Sequence, residues 1–161
     1  MKIVLKDKSL FELPEGSTAK DLADKLHLNG PNQALGVSIN GKTTDLGNRL
    51  HDGDQVIIWN FDDPEGKEIF WHTSAHVLAQ AILRLWPDAK PTIGPPIENG
   101  FYYDFARSAP FALEDLEKIE NKMREIVKRD EALVREVWKR DDAVKFFHSI
   151  GEKYKAEIIS A

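Results

Sequence analysis

The chain contains no cysteine. Disulfide bridges are excluded, and so is any zinc site built on thiolates. There is no apolar run of about 18 residues and no basic-then-apolar N-terminus, which argues against a helical membrane span and a secretory signal and makes the cytoplasm the expected location. Basic charge is also short: 22 Lys and Arg face 27 Asp and Glu, for a net charge of −5. A polyanion binder working by counterion release over its whole surface is thereby disfavoured, and any nucleic-acid contact must be local. What is present, 42% hydrophobic and 30% charged residues, fits a globular chain. At 161 residues it holds one domain or two small ones, and a chain of this size buries roughly two-thirds of its unfolded surface.

The first 60 residues read as short strands around one helix. KIVL (Lys2 to Leu5), a polar turn and LFEL (Leu10 to Leu13) form a hairpin. Thr18 and Asp21 have capping-box spacing ahead of Leu22, Ala23 and Leu26, and Asn29-Gly30-Pro31 supplies a stop. ALGVSIN then leads into the favoured hairpin turn Asn40-Gly41, followed by KTTDL, a DGD loop and the strand QVIIW (Gln55 to Trp59). The order ββαβββ predicts an α+β unit of the ubiquitin-like β-grasp type over residues 1 to 61, with Leu22, Leu26, Ile39 and Ile57 in its core.

A second α+β unit is expected over residues 62 to 161. Asp63 can cap a helix opening on Pro64 and stopping at Pro87. An extended KPTIGPPI, a turn at Glu98-Asn99-Gly100 and a strand FYYDF follow. Next come a charged helix with Leu113, Leu116, Ile119, Met123 and Ile126 on one stripe, a strand ALVREVW, and a short helix DDAVKFFHSI. The end, GEKYKAEIISA, leaves Ile158 and Ile159 without a closing signal, which predicts a chain cut within this unit.

In WHTSAHVLAQ, His72 and His76 stand four apart. At about 100° per residue they lie opposite the apolar arc of Phe70, Val77, Leu78, Ala81, Ile82 and Leu85, bordered by Thr73, Ala75, Ala79 and Leu83. Two imidazoles on such a face can reach one bound group as general base, hydrogen-bond donors or metal ligands, or can simply face water. Zinc lacks ligands: there is no adjacent Glu as in HExxH, and His27, His51 and His148 lie in other elements. IGPPIENGFYYDF is a stiff aromatic turn; in a strand Tyr102 and Asp104 point one way while Phe101, Tyr103 and Phe105 point the other. Its glycines lie too far from a strand-to-helix turn to cradle phosphate. Lys155, in KYKAEI, offers a cation.

DGDQVIIW closing a β-grasp unit, then HTSAHVLAQAI, then IGPPIENGFYYDF, resembles the N-terminal part of bacterial-type threonyl-tRNA synthetases, and the likeness covers essentially the whole chain. The first unit resembles the TGS domain, which is shared with Obg-type GTPases and stringent-response nucleotide synthetases. The second resembles the start of the domain that hydrolyses mischarged seryl-tRNA(Thr). That resemblance implies catalytic roles for His72, His76 and Lys155, substrate contacts for Tyr102, Tyr103 and Asp104, and no metal among these residues. It implies a threonine-tRNA ligase parent that binds tRNA(Thr) and ATP, uses magnesium and zinc, and dimerises through a catalytic domain. A CxxxH motif would complete the editing pocket and is not in this sequence, so the chain by itself is expected to be inactive and to hold no cofactor. A TGS-containing regulatory or binding module without chemistry is the alternative; no nucleotidase or GTP-binding signature accompanies it here.

Overall fold

In a computed structural model describing residues 1–161, the chain divides into two compact units, Met1–Trp71 and His72–Ala161. The first holds β1 (Lys2–Leu5), β2 (Leu10–Glu12), α1 (Ala19–Lys25), a 3₁₀ turn at Gly30–Asn32, β3 (Gly36–Ile39), β4 (Lys42–Thr44) and β5 (Gln55–Trp59). The sheet order is β2-β1-β5-β3-β4, with β1 and β5 parallel and the other pairs antiparallel. This is the β-grasp arrangement, within a chain that is α+β throughout.

Local chemistry sets these elements. Thr18 and Asp21 close a full capping box: the Asp21 N–H donates to Thr18 Oγ1 at 3.2 Å, and the Thr18 N–H donates to Asp21 Oδ2 at 2.7 Å. Such a cap contributes about 1 kcal/mol. Asn40 (φ 51°) and Gly41 (φ 81°) both adopt the left-handed conformation that a tight β3–β4 hairpin requires. Asn40 also donates to the buried Asp54 carboxylate at 2.7 Å and accepts from the Gln55 N–H at 2.9 Å, so the DGD loop is tied to the hairpin.

Alternation along the strands places Ile3, Val37 and Val56 against Leu13, Ala19, Leu22 and Leu50, with Leu5, Phe11, Leu26, Ile39 and Ile58 packed around them. Full burial of each large side chain contributes about 1.5–3 kcal/mol. Ile57 is a correction to the expected core. With Val56 and Ile58 turned toward α1, a period of two sends Ile57 to the other face, where it pairs across from Ser38.

Helix α2 (Pro64–Leu85) runs through the division between the units. The Asp63 carbonyl accepts the first helical bond from the Lys67 N–H, but its carboxylate does not cap the helix. It accepts from the Asn60 N–H at 3.0 Å and lies 3.8 Å from Lys6. Gly66 is required here, since a Cβ would fall 1.7 Å from the Asn60 carbonyl oxygen.

The second unit continues with β6 (Lys90–Pro91), β7 (Pro96–Ile97), β8 (Gly100–Phe101), β9 (Phe105–Ala106), α3 (Leu113–Lys128), α4 (Arg140–Ser149) and α5 (Lys153–Ser160). Its core is small: Ile82, Ala89 and Ile119 are buried, with Leu78, Leu85, Trp86, Phe105 and Met123 against them. No helix is long and apolar enough to cross a membrane.

Three expectations change in this unit. FYYDF is two short strands, not one: β8 pairs with β7 and β9 with β6. The Thr92 and Asp104 N–H groups extend the second ladder, but Pro95 and Pro96 have no N–H with which to carry it further. ALVREVW is not a strand. Residues 132–138 are exposed and irregular, because strand-forming side chains need a neighbouring strand for their N–H and C=O groups and none lies beside them. On α3, Ile119 and Ile126 are buried as the stripe predicts, whereas Leu113 and Leu116 stand exposed.

Candidate functional site

His72 and His76 lie one turn apart on α2, and their rings stack with centroids 4.9 Å apart and planes inclined by 16°. Both residues are exposed, while Ala75 and Ala79 between and beyond them are buried. Small side chains on the inner flank let the helix seat closely and leave the imidazoles at the surface. His76 is nevertheless crowded: desolvation is the main reason its pKa falls below the ordinary 6.5, and the fields of His72 and Lys155 push the same way. It is therefore a neutral imidazole near pH 7, able to accept a proton or a hydrogen bond.

Lys155 comes from α5, in the same unit. Its Nζ stands over the Phe147 ring of α4, 5.6 Å from the centroid, and its charge reaches His76. His72 and His76 thus sit together on one helix, and Lys155, on another helix of the same unit, is near enough for its charge to act on His76.

The aromatic turn contributes differently. Tyr103 stacks on Phe105 with centroids 4.7 Å apart, and its ring lies so close to Gly94 that a Cβ there would sit 2.2 Å away. Burial, then the charge of Glu152, raises the Tyr103 pKa, so the phenol stays protonated. Tyr102 and Asp104, in the link between β8 and β9, are exposed and share no hydrogen bond or ring contact with the imidazoles. Glu152, Lys90 and Phe147, which the structure adds to the neighbourhood, carry no motif of their own; the only sequence signal is Gly151-Glu152 opening the last helix.

Zinc does not fit these residues. No group of three or more His, Asp or Glu side chains gathers at metal-binding spacing, and thiolates are absent. His72 and His76 would supply two ligands where a closed site needs about four.

Residues 1–59 match the family model for the TGS domain. Along its whole length the chain is similar to threonine-tRNA ligases. It is 63% identical over 162 residues to that of Protochlamydia amoebophila, covering 100% of this chain and 24% of the relative. Against the enzyme of Acetivibrio thermocellus the identity is 45% over 159 residues, covering 99% of this chain and 25% of the relative. The chain is a homologue of the N-terminal region of threonyl-tRNA synthetases. It spans about a quarter of the length of these threonyl-tRNA synthetase relatives, and both units fall within the matched region.

Proposed function

We propose that this chain is the TGS-plus-editing region of a threonine-tRNA ligase, and that residues 62–161 contribute part of a site that hydrolyses seryl-tRNA(Thr). The observation carrying this reading is the stacking of His72 on His76 at an exposed helix face, where burial and the charge of Lys155 hold the His76 pKa below its ordinary value. The kinship with ligases joining threonine to tRNA supplies the reason such chemistry is needed. Serine is one methyl smaller than threonine and carries the same hydroxyl, and one methyl discriminates by only about 1–3 kcal/mol. A second, hydrolytic sieve makes up the difference.

In the proposed step a water attacks the carbonyl carbon of the seryl ester. Its oxygen forms the new C–O bond, the bond to the ribose oxygen breaks, and the water proton passes to the departing ribose hydroxyl. His76, neutral and pressed against His72, accepts that proton or orients the water; protonating both stacked rings at once is opposed by their mutual repulsion. Lys155 supplies positive charge for the developing oxyanion or for the serine hydroxyl. Tyr103, stacked on Phe105, is assigned to the substrate side, and the exposed Tyr102 and Asp104 to the rim. The acidic surface, net −5, leaves tRNA(Thr) to be gripped locally and by the remainder of the ligase. ATP, magnesium and zinc serve aminoacylation elsewhere in that ligase, as does any dimer contact, and the reaction is placed in the cytoplasm.

The test is hydrolysis of seryl-tRNA(Thr) and threonyl-tRNA(Thr) by the longer ligase carrying this region. His72→Ala and His76→Ala are expected to cut seryl ester loss by about 100-fold or more with aminoacylation intact. Unchanged hydrolysis in both variants would assign the chemistry to other residues.

A further inference from the structure

We propose that Glu152 is the positioning residue of the imidazole site: through Lys90 it fixes the start of α5 and so sets where Lys155 stands relative to His76. This rests on the reading of the site as an ester hydrolase.

The Glu152 side chain is only 13% exposed, so its carboxylate needs partners within the protein. Lys90 provides one, with Nζ 3.5 Å from Oε1. Lys90 itself is anchored, because β6 pairs it with Ala106 on β9, the strand that leaves Tyr103. The charge of Glu152 also acts on the Tyr103 phenol, whose ring is held by Phe105 stacked on it and by the bare Gly94 backbone packed against it.

The main chain of Glu152 closes the corner between α4 and α5. Its N–H donates to the Phe147 carbonyl at 2.9 Å and its carbonyl accepts from the Ala156 N–H at 3.1 Å, just after Gly151 turns at φ 76°. From Glu152 to Lys155 is three residues, which returns the side chain to the same flank of the helix within about 60°. Ala156, fully buried, seats the helix on its inner side. Side-chain tie, corner and seat together define the rotation of α5, and the rotation of α5 decides where the Lys155 ammonium stands relative to the imidazoles. The Phe147 ring keeps that ammonium nearby but, as a broad π face, does not fix its direction.

The experiment follows the His76 imidazole resonances against pH in this chain. His72 and Lys155 are the charged groups whose fields reach His76. Lys155→Met is expected to raise the His76 midpoint, Glu152→Gln to raise it in the same direction, and the double variant to add nothing further. The charge swap Lys90→Glu with Glu152→Lys should return the midpoint to its starting value. A midpoint unmoved by Glu152→Gln but raised by Lys155→Met would overturn the proposal, as would one unmoved by Lys155→Met. Should Glu152→Gln fail to fold, Lys90→Met carries the same expectation. In the longer ligase, Glu152→Gln should lower kcat for seryl-tRNA(Thr) hydrolysis by about 10- to 100-fold with KM little changed. If His72→Ala leaves that hydrolysis intact the editing reading falls, while the His76 midpoint still decides the role of Glu152.

Discussion

In the first unit seven residues, Ile3, Leu13, Ala19, Leu22, Val37, Leu50 and Val56, are closed under one helix and ringed by seven more apolar side chains. The second unit has three buried residues in its cluster and five around them, while Leu133, Val134 and Val137 stand 79–88% exposed. The second unit is no poorer in apolar residues than the first. The difference is in pairing: the first unit satisfies its strands with one another in a five-stranded sheet, whereas the second makes two two-stranded ladders and leaves residues 132–138 unpaired. A five-stranded sheet supports a core of its own. A unit with short ladders relies on helix packing and on the polar ties that also build the candidate site.

Several substitutions sharpen or break this contrast. The largest effect is expected at Gly66, where a Cβ meets the backbone of Asn60 and neither can give way; Gly66→Ala should cost more than about 4 kcal/mol. Leu22→Ala, in the closed core, should cost about 2–5 kcal/mol. Leu133→Ala, on the open segment, should cost less than about 0.5 kcal/mol. Amide exchange resolved by residue would measure the two units separately, and equal losses from Leu22→Ala and Leu133→Ala would erase the distinction. Gly94→Ala drives a methyl into the Tyr103 ring, which can rotate only by leaving Phe105, and should cost about 1–3 kcal/mol, confined to the second unit.

Titration gives a smaller contrast. His76 has a folded-state pKa below its ordinary 6.5, so as pH falls the unfolded chain takes up the proton first. The second unit should therefore lose stability as pH drops from about 6.5 through the lowered folded value, and His76→Gln should flatten that decline without altering the first unit. Smallest of all, Val134→Lys with Val137→Lys should leave folding unchanged and reduce self-association of this chain at high concentration, read by sedimentation. A loss of folding would mean that the segment is already paired.

The legibility of the sequence follows the same division. The capping box at Thr18 and Asp21, the Asn40-Gly41 turn and the strand-forming side chains of QVIIW are local signals, and each acts within a few residues of where it is written. The face of Ile57 is hidden because four apolar residues in a row conceal the period of two, and the Asp63 carboxylate turns to the Asn60 N–H instead of capping α2. ALVREVW carries strand propensity with no partner strand to use it, and propensity alone does not make a ladder. At the site, His72 and His76 are visible from their four-residue spacing. The approach of Lys155 from α5 and the hold of Glu152 on Lys90 join positions 62 or more residues apart, which no local pattern records.

The most direct test compares this 161-residue chain with the longer ligase in a single assay of seryl-tRNA(Thr) deacylation. Water positioning, proton transfer and oxyanion support must coincide in one transition state, and loss of one member removes most of the effect. The predicted result is fast ester loss with the longer ligase, abolished there by His72→Ala, and no useful turnover with the chain alone, whose imidazoles and Lys155 form only part of the site. Robust turnover by the isolated chain, abolished by His72→Ala, would show that a complete site lies within these residues and would contradict the account.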